Sequence, residues 1–216
     1  TLRLAFEYSV FERINRSHFF DHLEIGTMCA NREKILSEIA EEFFDPEAMQ
    51  PRRAYAYFPP KDRFCVRRMI NLPFKDLVIR NAICIVLARY LDPILSDWCF
   101  ANRRAEGEHA KRSLTADYAK KSWPDFCSWQ LRSVEESNVL LKTDISAFYD
   151  SVSHRYLLET LASELGIEVD CPVMRFIGRF CQPPVETYLA MVREVGAPVR
   201  MQQGLLTGNE TEGILA

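Results

Sequence analysis

A long run of apolar residues between Pro73 and Asp92 is the feature that most constrains how this chain can fold. The apolar side chains fall on nearly every side of a helical wheel, at Leu77, Ile79, Ile83, Ile85, Val86, Tyr90 and Leu91. A helix with apolar residues all round must lie inside a domain, because no face of it suits water. The sequence therefore predicts a deeply buried helix from about Lys75 to Cys99, with a kink at Asp92-Pro93.

The first 50 residues are predicted to be mainly helical. One helix has apolar residues at helical spacing, at Phe6, Val10, Phe11 and Ile14. Asn31 is the expected cap of a second helix that ends at Asp45-Pro46. The apolar face of this second helix holds Ile35, Leu36, Ile39, Ala40 and Phe43. His18 and His22 lie four residues apart, but two histidines alone are more often surface or core residues than metal ligands.

The pattern changes to alternation over residues 53–72, which predicts two strands around a turn at Pro59-Pro60. The predicted strands are Tyr55–Phe58 and Phe64–Leu72. The hairpin carries four cations, at Lys61, Arg63, Arg67 and Arg68. Because arginine forks suit phosphate oxygens, this hairpin can reach over a bound triphosphate. An ordinary exposed hairpin is the alternative.

Size and cysteine usage narrow the class of protein. The chain has 216 residues, of which 48% are hydrophobic, enough for one large domain or two small ones that share a core. No run is long and apolar enough to span a membrane, and the N-terminus carries no signal-peptide pattern. The seven cysteines are widely spaced and include no Cys-x-x-Cys, which predicts free thiols in a reducing cytoplasm. Several of them are expected to fill the core.

The charge is unevenly distributed, although the net value is only −3. Residues 51–132 hold 16 Lys or Arg against 8 Asp or Glu, whereas residues 1–50 hold 5 against 10 and residues 133–216 hold 6 against 12. A basic middle between acidic ends suits an enzyme that grips phosphates in one region and gathers metal ions in another. Solvated helix faces are the alternative explanation.

Residues 105–137 are predicted to form two further helices. Three aromatic residues, Trp123, Phe126 and Trp129, are assigned to packing, with nucleobase stacking as the alternative. The basic residues of this region are Lys111, Arg112, Lys120, Lys121 and Arg132.

A short apolar run leads to an acidic residue in the second half of the chain. Val139–Leu141 is predicted to be a buried strand, and Asp144 follows at its end. A strand that delivers a carboxylate at its end can hold a metal ion rigidly. Ser153 is the expected N-cap of a helix that runs to about Leu165 and ends at Gly166.

A second candidate site lies near the C-terminus of the sequence. Gly204 and Gly208 flank Leu205-Leu206-Thr207 and precede a predicted helix start. Such a loop lets the backbone approach a ligand closely, although alone it is typical of an ordinary turn.

Three blocks resemble parts of reverse transcriptases of the bacterial branch, and they follow one another in the order that the family has. The first block, from Lys61 through Arg68 to Ala82-Ile83, is similar to the fingers. The second, Thr143-Asp144-Ile145-x-x-Phe148-Tyr149-Asp150-Ser151-Val152, is similar to palm motif A. The loop and helix start over residues 204–216 resemble motif B. The similarity is greatest to abortive-infection and other defence-associated enzymes, and extends to retron and group II intron enzymes.

The resemblance implies an α+β fold: the fingers and partial palm of a right-hand polymerase, mostly helical, with a fingers hairpin, a small palm sheet and no thumb. Residues 1–50 would then be an N-terminal helical segment, residues 51–132 the basic fingers, and residues 133–216 the first part of the palm. The implied partners are nucleic acid, as RNA template or DNA product, and dNTPs. The implied cofactor is Mg²⁺, with two ions in the complete enzyme.

The resemblance also implies roles for single residues. Asp144 would be the catalytic residue, as a bridging metal ligand, with the Ile145 carbonyl as a second metal contact. Tyr149 matches the steric gate that excludes a 2′-hydroxyl and so selects deoxynucleotides. Arg68 stands where the family's arginine contacts the phosphates of the incoming nucleotide. The other implied nucleotide-binding residues are Lys61, Arg67, Gly204 and Thr207.

The sequence departs from the family in three places. After the fingers helix, Phe100-Ala101-Asn102-Arg103-Arg104 stands where the family has a Ser-x-Gly-x-Arg element. In the motif B loop, Leu206 and Thr207 replace the family's Pro and Gln. No Asp-Asp pair occurs anywhere, although the family's remaining metal ligands form a Tyr/Phe-x-Asp-Asp hairpin after motif B. We therefore expect a segment of a longer reverse transcriptase that acts in antiphage defence. The alternative is a catalytically incomplete module that binds nucleic acid or a partner chain, alone or as an oligomer.

Two readings from other classes fit less well. A nucleotide hydrolase would need a Gly-x-x-x-x-Gly-Lys-Ser/Thr loop upstream of Asp144, and the sequence has none. A generic helical domain, in which Asp144 is only a helix cap, does not account for three blocks in the family's order.

Overall fold

The computed structural model describes residues 1–16, 22–60, 69–137 and 148–186, together with Val139, Leu141, Thr143 and Ile145. These residues are mostly helical with one small sheet, which confirms the predicted α+β class. The helices are α1 (Leu2–Arg16), α2 (His22–Ala30), α3 (Arg32–Glu42), α4 (Phe74–Leu91), α5 (Trp123–Glu135), α6 (Phe148–Ser151), α7 (His154–Leu165) and α8 (Pro172–Cys181). The strands are β1 (Ala54–Tyr57), β2 (Met69–Asn71) and β3 (Val185–Glu186).

Helix α4 is the centre of the fold, as its apolar pattern predicts. It contacts α1, α3 and α8, and Phe74 meets Phe6 of α1 edge to face at 5.3 Å between ring centroids. The same core includes Leu114, Leu161 and Ile177, so all three predicted segments of the chain contribute to it. None of the helices within the described ranges, α4 included, is long and apolar enough to cross a membrane.

Two predictions about the end of α4 were wrong, namely where the helix ends and that its last turn is buried. The α-helix ends at Leu91, and Asp92–Ile94 continues as a short 3₁₀ turn. Since the ring of Pro93 cannot be accommodated in a continuing α-helix, the change of geometry falls where proline requires it. Val86 is 43% exposed and Tyr90 63% exposed, whereas Leu87 and Ala88 between them are buried, so one side of this end of the helix faces solvent.

The sheet has the strand order β2-β1-β3. Strands β1 and β2 are antiparallel, with Ala56 opposite Ile70, which confirms the predicted pair of strands. Strand β3 runs parallel to β1 and was not predicted. The inner face of the hairpin, formed by Ala54, Ile70 and Leu72, packs on Leu77 in the first turn of α4.

A buried ion pair fixes the hairpin to the helical core. Asp76 in the first turn of α4 has a side chain only 1% exposed. Its carboxylate accepts hydrogen bonds from Arg52 Nη1 at 2.6 Å and from the Arg52 amide at 2.5 Å. Arg52 also donates to Glu42 Oε1 at the end of α3 at 2.5 Å. Arg52 therefore joins α3, the start of β1 and α4.

A second buried contact anchors the other strand of the hairpin. Arg13 of α1 is 5% exposed and donates to the side chain of Asn71 and to the carbonyl of Leu72. Burial lowers the pKa of Arg13, with carboxylates nearby acting in the opposite direction. In the same region, Asn81 of α4 donates to Ser9 Oγ of α1 at 2.9 Å. Both ends of the hairpin are thus tied to helices.

The prediction of two helices in residues 105–137 was half right. Only α5 is a full helix, preceded without a break by a π-helical turn at Tyr118–Ser122. The earlier part forms a loop, closed by a bridge between Arg104 and Thr115 and by the Ala105 amide donating to the Leu114 carbonyl at 2.9 Å. Gly107 has a φ of 58°, a left-handed conformation that ends a helix rather than continuing it.

The predictions for the N-terminal helices and the cysteines are largely confirmed. Ile35, Leu36 and Ile39 form the buried face of α3, and Asn31 stands at its N-cap position without capping it through its side chain. All six cysteines in the described ranges are free. Two are buried, and burial raises the pKa of Cys181 to about 11.

We predict that Arg52→Met lowers the free energy of unfolding by about 3 kcal/mol, because it leaves the Asp76 carboxylate buried without its partner. This is the low end of such costs, since the Arg52 side chain is itself 35% exposed. The loss should shrink as the pH falls and Asp76, whose pKa is raised by burial, becomes protonated.

The matched control is Arg53→Met, one residue along, because Arg53 is exposed. It should change the free energy of unfolding by less than about 0.5 kcal/mol. Denaturant titration of the natural protein and both variants at pH 5 and pH 7.5 measures these changes in the free energy of unfolding. Equal stability of the two variants would show that the ion pair does not hold the hairpin.

Candidate functional site

The segment that leads to Asp144 does not form the predicted buried strand at its described positions. Val139, Leu141, Thr143 and Ile145 lie outside helices and strands. Val139 is 83% exposed, Leu141 86% and Ile145 65%. No described strand pairs with them, because the sheet consists of β1, β2 and β3 alone in the part of the chain that the structure covers. An apolar run favours a buried strand only where a neighbouring strand receives it.

The helix predicted after Ser153 is present, and a short helix that was not predicted precedes it. Short helix α6 begins at Phe148, and α7 begins directly after Ser153. The Ser153 side chain accepts a hydrogen bond from the Tyr156 amide at 3.4 Å, which confirms the predicted N-cap. Gly166 ends α7 with a φ of 64°. Phe148 at the start of α6 is 36% exposed.

Helix α7 fixes the end of this segment to the core. Its buried face holds Leu157, Leu161 and Ala162, and His154 in its first turn hydrogen-bonds to the side chain of Gln182. Gly178 of α8 allows a close approach, because a Cβ there would lie 3.1 Å from Leu158. Helices α7 and α8 are therefore packed into the core, whereas the described residues from 123 to 148 include none that is buried.

Most of the predicted site residues lie outside the described residues. These are Lys61, Arg67, Arg68, Asp144, Gly204 and Thr207, as well as His18. Tyr149 lies within α6, but its side chain is outside the description, as is that of His22. Ile145 is the one predicted site residue whose exposure is known, and its main chain belongs to an open, irregular segment. The predicted roles of all these residues stay predictions.

The described residues do not assemble a metal centre. Within the ranges that the structure covers, no group of three or more His, Cys, Asp or Glu side chains converges on one point. The Ile145 carbonyl is the single predicted metal contact among them. Mg²⁺ prefers oxygen ligands from one or two carboxylates together with substrate phosphates. The described residues alone do not supply that ligand set.

The structure brings together an aromatic cluster that the sequence only partly indicated. We call Trp98, Trp129, Phe126 and Trp123 the aromatic row. Successive centroids are 5.3, 6.2 and 5.7 Å apart. Phe100 packs beside the row, 5.8 Å from both Phe126 and Trp129. All three tryptophans of the chain belong to it. The spacing of the three α5 residues indicated a common face, but no local pattern connected Trp98 with them.

A cavity of about 250 Å³ lies next to the aromatic row. Its lining includes Phe100, Arg103, Arg104, Lys121 and Asp125. Arg103 serves a structural contact, because its Nε donates to Asp92 Oδ1 at 3.1 Å while the Arg104 amide donates to the same oxygen at 2.7 Å. Partial burial of Asp92 acts to raise its pKa, but these hydrogen bonds outweigh it and lower the pKa.

Comparison with known proteins gives no assignment. No protein-family model matches the chain, and no curated protein matches it either.

We predict that Ser153→Ala lowers the free energy of unfolding by about 1 kcal/mol, because the first turn of α7 loses its cap. Ser163→Ala is the matched control, since Ser163 is an exposed residue within the same helix, where alanine is favourable. Thermal or denaturant unfolding of the two variants separates them. Equal stabilities would show that the Ser153 hydroxyl contributes nothing to this turn.

Proposed function

We propose that this chain is a segment of a reverse transcriptase that transfers deoxynucleotides to a primer by a two-metal mechanism. The observation that carries the proposal is the order of three sequence blocks. An arginine-bearing hairpin and buried helix come first, the Asp144 run follows, and the glycine loop at residues 204–208 comes last. The finer expectations belong to the same proposal: the polymerase fingers and partial palm, nucleic acid and dNTPs as partners, a cytoplasmic location and a role in antiphage defence.

The fold favours the proposal because it holds the hairpin firmly against the helices. Strand β2 ends at Asn71 and α4 begins at Phe74, so only two residues separate the hairpin from the most buried helix. Arg52 and Arg13 tie the two strands to α3, α4 and α1. A loop that grips a triphosphate needs such a rigid base, since small displacements of binding groups cost affinity and rate.

In this proposal the cations of the hairpin bind the triphosphate and Tyr149 lies against the sugar. Arg68, with Lys61 and Arg67, would supply charged hydrogen bonds to phosphate oxygens. Gly204 would let the backbone approach the nucleotide, and Thr207 would contact it in place of the family's Gln. An aromatic ring at Tyr149 would leave no room for a 2′-hydroxyl, which makes the sugar the basis of selection.

Asp144 and the Ile145 carbonyl would hold Mg²⁺, which when bound neutralises the triphosphate and activates the primer hydroxyl. The exposure of Ile145, at 65%, is compatible with access for the ion and its substrate.

A specific observation favours the non-catalytic alternative. Val139 and Leu141 are exposed and outside any strand, so the element expected to hold Asp144 in place is not formed at the described positions. A reverse-transcriptase-like module that binds nucleic acid or a partner chain does not require that element.

We predict that Asp144→Asn abolishes Mg²⁺-dependent dNTP incorporation by the protein in its full natural length. A metal ion contributes several kcal/mol to the stability of the transition state, so the rate should fall at least about a hundredfold. Primer extension with labelled dNTPs measures it. Glu164→Gln, which removes a carboxylate from the exposed side of α7, should leave the rate unchanged. Activity that survives Asp144→Asn would exclude the assigned role.

We predict that Tyr149→Val lowers the preference for dNTPs over rNTPs by about tenfold or more, because the smaller side chain makes room for the 2′-hydroxyl. The measurement is the ratio of kcat/KM values for a matched dNTP and rNTP. Tyr156→Val is the control, since Tyr156 is 71% exposed on α7. If Tyr149→Val rejects rNTPs as strictly as the natural protein does, Tyr149 is not the gate.

A further inference from the structure

We draw no further inference here: the strongest candidate, the apolar face that α5 and the aromatic row present beside the cavity, carries nothing, because the carboxylates that line the cavity outnumber the cations and nothing among the described residues shows what covers that face.

Discussion

The ion pair between Arg52 and Asp76 is the interaction on which the rest of the structure depends. It is made in the first turn of the central helix, and Arg52 extends it to Glu42 at the end of α3. A carboxylate that is 1% exposed needs such a partner, because an unpaired buried charge is costly. The pair therefore fixes where β1 starts relative to α4.

The described chain divides into a rigid part and an exposed part. Helices α1, α3, α4, α7 and α8 share one apolar core, whereas the described residues between 123 and 148 include none that is buried. The exposed part carries three members of the aromatic row, Trp123, Phe126 and Trp129, and the exposed residues Val139, Leu141 and Ile145. A division of this kind is typical of proteins that place binding groups on a stable scaffold and cover them with a ligand or another chain.

Local patterns predicted the local structure well. The apolar run of α4, the N-cap at Ser153 and the left-handed glycine at Gly166 each follow from the chemistry of neighbouring residues. Contacts between distant parts of the chain were not predictable in this way. The pairing of β3 with β1 joins residues about 130 positions apart, and the contact of Trp98 with α5 depends on a loop whose closure no short pattern indicates. The strand predicted at Val139–Leu141 is absent at its described positions for the same reason, since an apolar run does not reveal whether a neighbouring strand is present. Near the candidate site, the helix that follows Ser153 was confirmed, and the roles of single residues remain predictions.

The central claim is that this chain belongs to an enzyme that synthesises DNA. Its most direct test is incubation of the protein in its full natural length with labelled dNTPs or rNTPs, a primed RNA template and Mg²⁺. We expect incorporation of dNTPs, little incorporation of rNTPs, and complete loss of product when a chelator removes the metal. A folded protein that binds single-stranded nucleic acid but incorporates no nucleotide under any of these conditions would contradict the polymerase claim and favour the non-catalytic module.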